Sequence, residues 1–327
     1  MDPTTTRTNL PRNDHESVAT SLIVYSSIFL IVNIVVVALR FHVRLRVLRK
    51  FGNDDIALVI TLGSTIAGII GITAATRLGL GYHIDTLPMA ERSTLFKLIF
   101  ISSLGYHGTI MLLKATFLLQ FRRVFPLPTF QLVCDIFLAF FAAWAVAGII
   151  GGATICLPLN WDPRAPTWTC DKRLWFWMAH GVIHVVTDVL IFIMPLPLLN
   201  TLRLPPLHKM VLIGVFSLGF CTCVISAIRL TTLPASLRDP DISWTSATTV
   251  FWSVGEVTCS TVCLCIPTLR PLLGSWSFLG RIIGNENLMG QGTPDFDCYA
   301  ISLPSSLGAP PTPSRTADAV MGNGGVV

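Results

Sequence analysis

His180, His184 and Asp188 recur at four-residue spacing inside an apolar stretch, so on a helix they stand one turn apart on a single face. Two imidazoles at i and i+4 can share one metal ion. An imidazole beside a carboxylate can also relay a proton or line a ligand pocket. A hydrogen-bonded polar seam that fixes helix packing accounts for the same residues. His107 and Glu256 sit in other apolar stretches, near the same depth by helical rise. Each is costly in hydrocarbon and must face a partner or water. Pocket, relay, metal site and seam all stay open at this stage.

Lys114 and Asp135 fall one to two turns from the same end of their apolar runs, which predicts a buried ion pair with Asp54 or Asp55 nearby. The competing arrangement has Lys114 snorkelling to the membrane surface. Several chemistries are missing. The last apolar run, 245–267, has no lysine for a retinal Schiff base. Span 3 ends in Gln120-Phe121-Arg122-Arg123 rather than an acidic-Arg-Tyr motif. No Gly-rich nucleotide loop or serine nucleophile elbow occurs. Neither an enzyme nor a bound cofactor is expected.

These residues need elements to hold them, and composition says which. The chain has 327 residues, 52% of them hydrophobic and only 13% charged, against about 25% charged in soluble domains. So few charges cannot cover a surface in water; lipid must cover much of it. The formal charge of +5 is no sign of nucleic-acid binding, because the basic residues cluster between apolar runs. A hydrocarbon core about 30 Å thick needs about 20 apolar residues per helix. Seven runs qualify: 18–39, 56–76, 96–119, 131–155, 175–198, 210–230 and 245–267. The expectation is an all-α membrane protein, a seven-helix bundle spanning 18–267, whose first span is not a cleaved signal.

Orientation rests on the first loop, where Arg40, Arg44, Arg46, Arg49 and Lys50 lie beside the membrane and predict a cytosolic face. Residues 1–17 would then be extracellular and the C-terminus cytosolic. Arg122, Arg123, Arg203 and Lys209 fall on the cytosolic side, and Arg7, Arg77, Arg92, Arg229 and Arg238 on the other. Residues 268–283, with Leu272, Trp276 and Ile282 beside Arg270 and Arg281, predict an interfacial amphipathic helix. Residues 284–327, rich in Gly, Pro and Ser, predict a disordered tail. Cys156 and Cys170 fall in the one outer loop with Trp161 and Trp168, and a disulfide between them is expected there.

Taken in order, several segments resemble the fungal rhodopsin-domain integral membrane proteins, a family with receptor-like members and members encoded beside secondary-metabolite clusters. The segments are Arg40 to Arg46 before Gly52-Asn53-Asp54-Asp55, Gly79-Leu80-Gly81-Tyr82-His83, Lys114-Ala115-Thr116, and Arg122-Arg123-Val124-Phe125. Cys156 and Cys170 follow, then Asp188 before Pro195-Leu196-Pro197, Lys209, Arg229-Leu230, and Glu256 ahead of Pro267. The resemblance covers about residues 20–275. Asn53 and His184 depart from its pattern. It implies seven helices and a receptor-like role without retinal.

We therefore expect a multi-pass protein of the plasma membrane that senses a small ligand near His107, His180, His184, Asp188 and Glu256. Arg44, Arg46, Arg122 and Arg123 would contact a cytosolic signalling protein or anionic lipid. The alternatives are a small-molecule or proton transporter, and a metal-dependent intramembrane hydrolase using His180, His184 and Asp188.

Overall fold

The computed structural model describes residues 18–84, 87–156, 171–197, 206–238 and 241–275. Within them the chain forms seven long helices and no strand. They are α1 (Ala19–His42), α2 (Asn53–Arg77), α3 (Met89–Val124), α4 (Pro128–Cys156), α5 (Asp171–Ile193), α6 (Pro206–Arg238) and α7 (Ile242–Ser275). All seven are long and apolar enough to cross a membrane. In sequence order α2 packs on α3 and α3 on α4; α6 packs on α7, and α7 returns to α1.

The helices outrun the apolar stretches, because a helix continues after its side chains turn polar. Thus α3 starts at Met89 rather than residue 96. Likewise α7 passes Pro267 and Pro271 without interruption. Residues 268–275, expected to begin a separate interfacial helix, extend α7 instead. The rest of that segment, the tail, residues 1–17 and the Cys156–Cys170 bridge lie outside what the structure describes.

The distribution of side chains is inverted relative to a protein in water. Ile31, Ile70, Ile101, Leu132, Ile136 and Ile149 face outward, whereas Arg40, Asp54, Asp55, Lys114 and Glu256 are buried. An exterior of branched aliphatics around a charged interior suits hydrocarbon surroundings. This is the arrangement of a multi-pass membrane protein.

One end of the bundle is closed by an arginine–carboxylate lock. After His42 the first helix widens into a π-helical turn, Val43–Leu48. Arg40, fully buried, uses its whole fork: Nε donates to Asp55 at 3.2 Å and one terminal nitrogen to Asp54 at 2.7 Å. The other terminal nitrogen donates to Gln120 and to the Leu264 carbonyl, both at 2.8 Å. These contacts tie α1 to α2, α3 and α7. Arg44 and Arg123 reach Asp54 from two further directions, at 2.9 and 2.8 Å. Both acids lie in the first turn of α2, where the helix dipole favours negative charge. The Gly52 N–H donates back to Asp55 at 3.1 Å, half of a capping box.

Two expectations are corrected here. Asp54 and Asp55 serve this lock and not Lys114. Arg44, expected to reach a cytosolic partner, is buried against both acids, because an aspartate pair out of water needs more than one cation. Arg46 stays exposed.

The opposite end is closed by the turn after α2. Gly79 and Gly81 both take positive φ, at 110° and 89°, which only glycine adopts without strain. The turn then lies across two neighbours: Val18 N–H donates to the Gly81 carbonyl at 3.0 Å, and the Ser243 hydroxyl to that of Gly79 at 2.6 Å. His83 stacks on Trp244 and bonds Asp241 at 2.5 Å.

Losing Asp54 would leave three arginines facing one carboxylate. The expected outcome for Asp54→Ala is a loss of about 3–5 kcal/mol, the scale of breaking a buried ion pair. Arg46→Ala, at an exposed position, should change stability by no more than about 0.5 kcal/mol. Thermal unfolding of the detergent-purified variants reads both; equal melting temperatures would sink the lock as a stabilising element.

Candidate functional site

Halfway along the bundle a second charged network joins α3, α5, α6 and α7. Its hub is Glu256 of α7, 1% exposed. One carboxylate oxygen faces His184 Nε2 at 2.5 Å and the Ser226 hydroxyl; the other accepts from the Tyr106 hydroxyl at 2.6 Å. Arg229 of α6 donates to that same Tyr106 oxygen at 2.9 Å, and its guanidinium lies 4.1 Å from the ring centre. Arg229 is 3.8 Å from Glu256 itself.

Asp188 of α5 carries the second negative charge. Lys114 Nζ donates to it at 2.6 Å, to the Thr187 hydroxyl at 2.7 Å and to the His184 carbonyl at 2.9 Å. An ammonium has three protons, and here all three are used. This saturation explains how a lysine stays buried without snorkelling.

The expected Lys114–Asp135 pair is therefore wrong. Asp135 bonds Arg122 at 2.7 Å, with the two side chains 44% and 45% exposed. Depth along the helices suggested Lys114 and Asp135 as partners, but their faces diverge: Lys114 points to α5, and Asp135 to the surface. Arg122 is thereby engaged, and Arg123 is held by Asp54 and by the Lys50 carbonyl at 3.1 Å.

Ser226 stands between the two acids, 3.0 Å from Asp188 and in short contact with Glu256, while also facing the Thr222 carbonyl. It has one proton for these acceptors, so it serves one at a time. His184 Nε2 likewise lies between Glu256 and Asp188, at 2.5 and 3.4 Å. Small movements of α5, α6 or α7 would redistribute these bonds.

The five expected pocket residues divide into two groups. His184, Asp188 and Glu256 belong to the charged network. His107 and His180 lie beside it in an aromatic cluster, their rings edge to face at 4.9 Å, with Trp144 and Phe176 each 4.5 Å from His180. Gly148 of α4 makes the room, since a Cβ there would stand 2.3 Å from His107 Nε2. The His180, His184 and Asp188 metal set does not form. Among the described residues the donors that converge are His184, Asp188 and Glu256, with ligand atoms within 4.8 Å of one another. Lys114 and Arg229 already set two positive charges beside the two carboxylates.

A cavity of about 190 Å³ opens next to the network, bounded mainly by α2, α3 and α7, with Arg229 and Leu233 from α6. Ile69, Ile72, Phe96, Phe100, Val250 and Val254 supply apolar wall. None of the five expected residues lines it. Tyr106 and Arg229 do, and connect it to Glu256. Sequence reasoning missed Tyr106 and Ser226, which nothing in the chain distinguishes from other span residues. Arg229 had a signal, an arginine inside the apolar run 210–230, but was assigned to the outer face instead.

If Lys114 and Asp188 compensate each other, Lys114→Met and Asp188→Leu should each destabilise by about 3–5 kcal/mol. The double variant should lose less than their sum, with a coupling of about 1–3 kcal/mol. Asp135→Asn should cost no more than about 1 kcal/mol. Additive single losses in thermal unfolding would disprove the pairing.

Comparison with known proteins fits this architecture. The chain is 24% identical over 268 residues to Polyenoic acids biosynthesis gene cluster protein Ba17b of Metarhizium anisopliae, covering 76% of this chain and 72% of that one. It is 29% identical over 113 residues to Fugralins biosynthesis cluster protein 2 of Gibberella zeae, covering 35% and 28%. Receptor GIN3 of Arthrobotrys oligospora is 24% identical over 178 residues, covering 54% and 43%. No solved structure gives a significant match. In α7, Ile242–Ser275, there is no lysine on which retinal could form a Schiff base. The family model described as Fungal rhodopsin domain matches residues 39–275, from the arginine lock to the end of α7, and this seven-helix membrane protein belongs to that family.

Proposed function

We propose that this protein is a receptor-like sensor that takes a small, largely apolar ligand into the cavity and does no chemistry on it. The observation that carries this reading is a shared wall. Tyr106 and Arg229 line the cavity and also bond each other, and Tyr106 donates to Glu256. A ligand resting on them acts on α3, α6 and α7 together. A ligand shifts a conformational equilibrium only by binding one arrangement better than another. The single Ser226 proton, divided between Asp188 and Glu256, gives such arrangements a physical basis.

The relative named as a receptor supports a sensing role, and the two named for biosynthesis clusters support a ligand of metabolite size. In this reading residues 1–17 face outward, the plasma membrane is the location, and the Arg40 end faces the cytosol. There the exposed Arg46 and Arg49 would meet a signalling protein or anionic lipid.

Export is the second reading. It is favoured by the run of titratable groups through the interior, Lys114, Asp188, His184 and Glu256, which suits proton coupling. Metabolite efflux abolished by Glu256→Gln in a stably folded variant would favour it over sensing.

Gly68 lines the cavity, and a Cβ there meets nothing within 4 Å, so Gly68→Phe should occupy the space without disturbing the backbone. The expected outcome is that purified protein retains a component of a fungal culture extract by mass spectrometry. That component should promote nucleotide exchange on a fungal G-protein subunit, and Gly68→Phe should lose both effects at unchanged melting temperature. No retained component, or equal retention by the variant, would refute the cavity as the sensing site. A tag at residue 1 should be labelled on intact cells, and labelling only after permeabilisation would reverse the orientation.

A further inference from the structure

Resting on the cavity as a ligand site, we infer that its ligand is an amphiphilic anion, a single-chain carboxylate whose head pairs with Arg229 and whose tail follows α3 towards Phe96. Three features of the cavity select this chemistry.

The first is a charge with only loose compensation. Among the described residues the carboxylate nearest to Arg229 is Glu256, at 3.8 Å, and the Glu256 oxygen facing it already accepts the Tyr106 proton at 2.6 Å. Arg229 reaches the network by one direct bond, to the Tyr106 oxygen. Glu256 also takes bonds from His184 and Ser226, so its charge is divided among several donors.

The second is an unused donor. Arg229 Nε has no hydrogen-bond partner among the described residues; the atom itself is buried, and the side chain, which lines the cavity, must turn for it to meet a ligand. A buried donor left unpaired is costly, and the cost disappears when an acceptor arrives. A guanidinium offers a carboxylate two parallel bonds, a geometry that a neutral oxygen cannot match in strength.

The third is the shape and chemistry of the remaining wall. Between Tyr106 and Phe96, α3 rises about 15 Å at 1.5 Å per residue. Ile72, Phe96, Ile99, Phe100 and Val250 supply apolar wall to the cavity, interrupted by the hydroxyls of Ser102, Ser103, Thr249 and Ser253. Among the described residues no acidic side chain and no second cation line the cavity; the nearest carboxylate, Glu256, lies behind Tyr106 with its charge shared among Tyr106, His184 and Ser226. One charge, beside a mostly apolar wall with scattered hydroxyls, suits one charged group on a largely apolar chain.

A two-chain anionic lipid of the bilayer is the competing occupant, and the test separates the two. Radiolabelled dodecanoate would be equilibrated with the full-length protein in phosphatidylcholine nanodiscs, with empty nanodiscs as background. We expect saturable binding of one molecule per chain, with methyl dodecanoate and dodecanol competing at least tenfold more weakly. Arg229→Met should weaken dodecanoate at least tenfold and leave dodecanol unchanged, while Arg229→Lys retains part of the preference. Displacement by dioleoyl phosphatidate in the bilayer would overturn the single-chain carboxylate in favour of a membrane lipid; its failure to displace would support the carboxylate. Equal competition by the acid, ester and alcohol would overturn the anion while leaving the apolar ligand site standing. Absence of saturable binding by all three would overturn the ligand site with it. The wild-type competition series alone decides the question if Arg229→Met does not fold.

Discussion

An ion held away from water must find its counter-charge and its hydrogen bonds within the protein, and this requirement organises the whole bundle. Lys114 meets it most completely, with three protons on three acceptors supplied by one neighbouring helix. Arg40 meets it with a planar fork that reaches three other helices at once. In hydrocarbon the apolar faces of helices gain little by meeting one another, since lipid tails solvate them equally well. Polar groups that can be satisfied only across helices therefore specify which helices are neighbours and at what register.

The polar contacts form three levels. The arginine lock closes one end, the Gly79–His83 turn closes the other, and the Glu256 network lies between them. Their construction differs in a way that matters for function. In the lock three guanidinium groups enclose two carboxylates, an excess of donors that leaves little freedom. At mid-level the relation is reversed around Ser226, where one hydroxyl proton faces two carboxylates and a carbonyl. A site short of donors has alternative bonding patterns of similar energy, which a saturated site lacks. The proposed ligand cavity abuts the level with this freedom.

The aromatic cluster of His107, His180, Trp144 and Phe176 adds a rigid flank on the α4 side. It explains why His107 and His180 stand apart from the charges. Their rings are spent on packing, and Gly148 allows α4 to approach them closely.

The number of spanning helices, their order and some of the residues that had to be compensated, Lys114, His184, Asp188 and Glu256, were legible in the amino-acid sequence, whereas Arg40, Arg44 and Arg229 read as surface charges. Each legible feature follows from a local property, the length of an apolar run or the presence of an ionisable group within it. The His184–Asp188 pairing on one helical face was legible for the same reason, because a four-residue spacing fixes relative direction within a helix. Partnership between helices was not. Depth can be counted along a helix, but rotation about its axis comes only from packing, so Lys114 was matched with Asp135 at similar depth while its face turned to Asp188. The same ignorance of rotation hid Arg229 and Tyr106. Whether an arginine near a helix end meets water or a cavity depends on its neighbours, and only the assembled bundle supplies them.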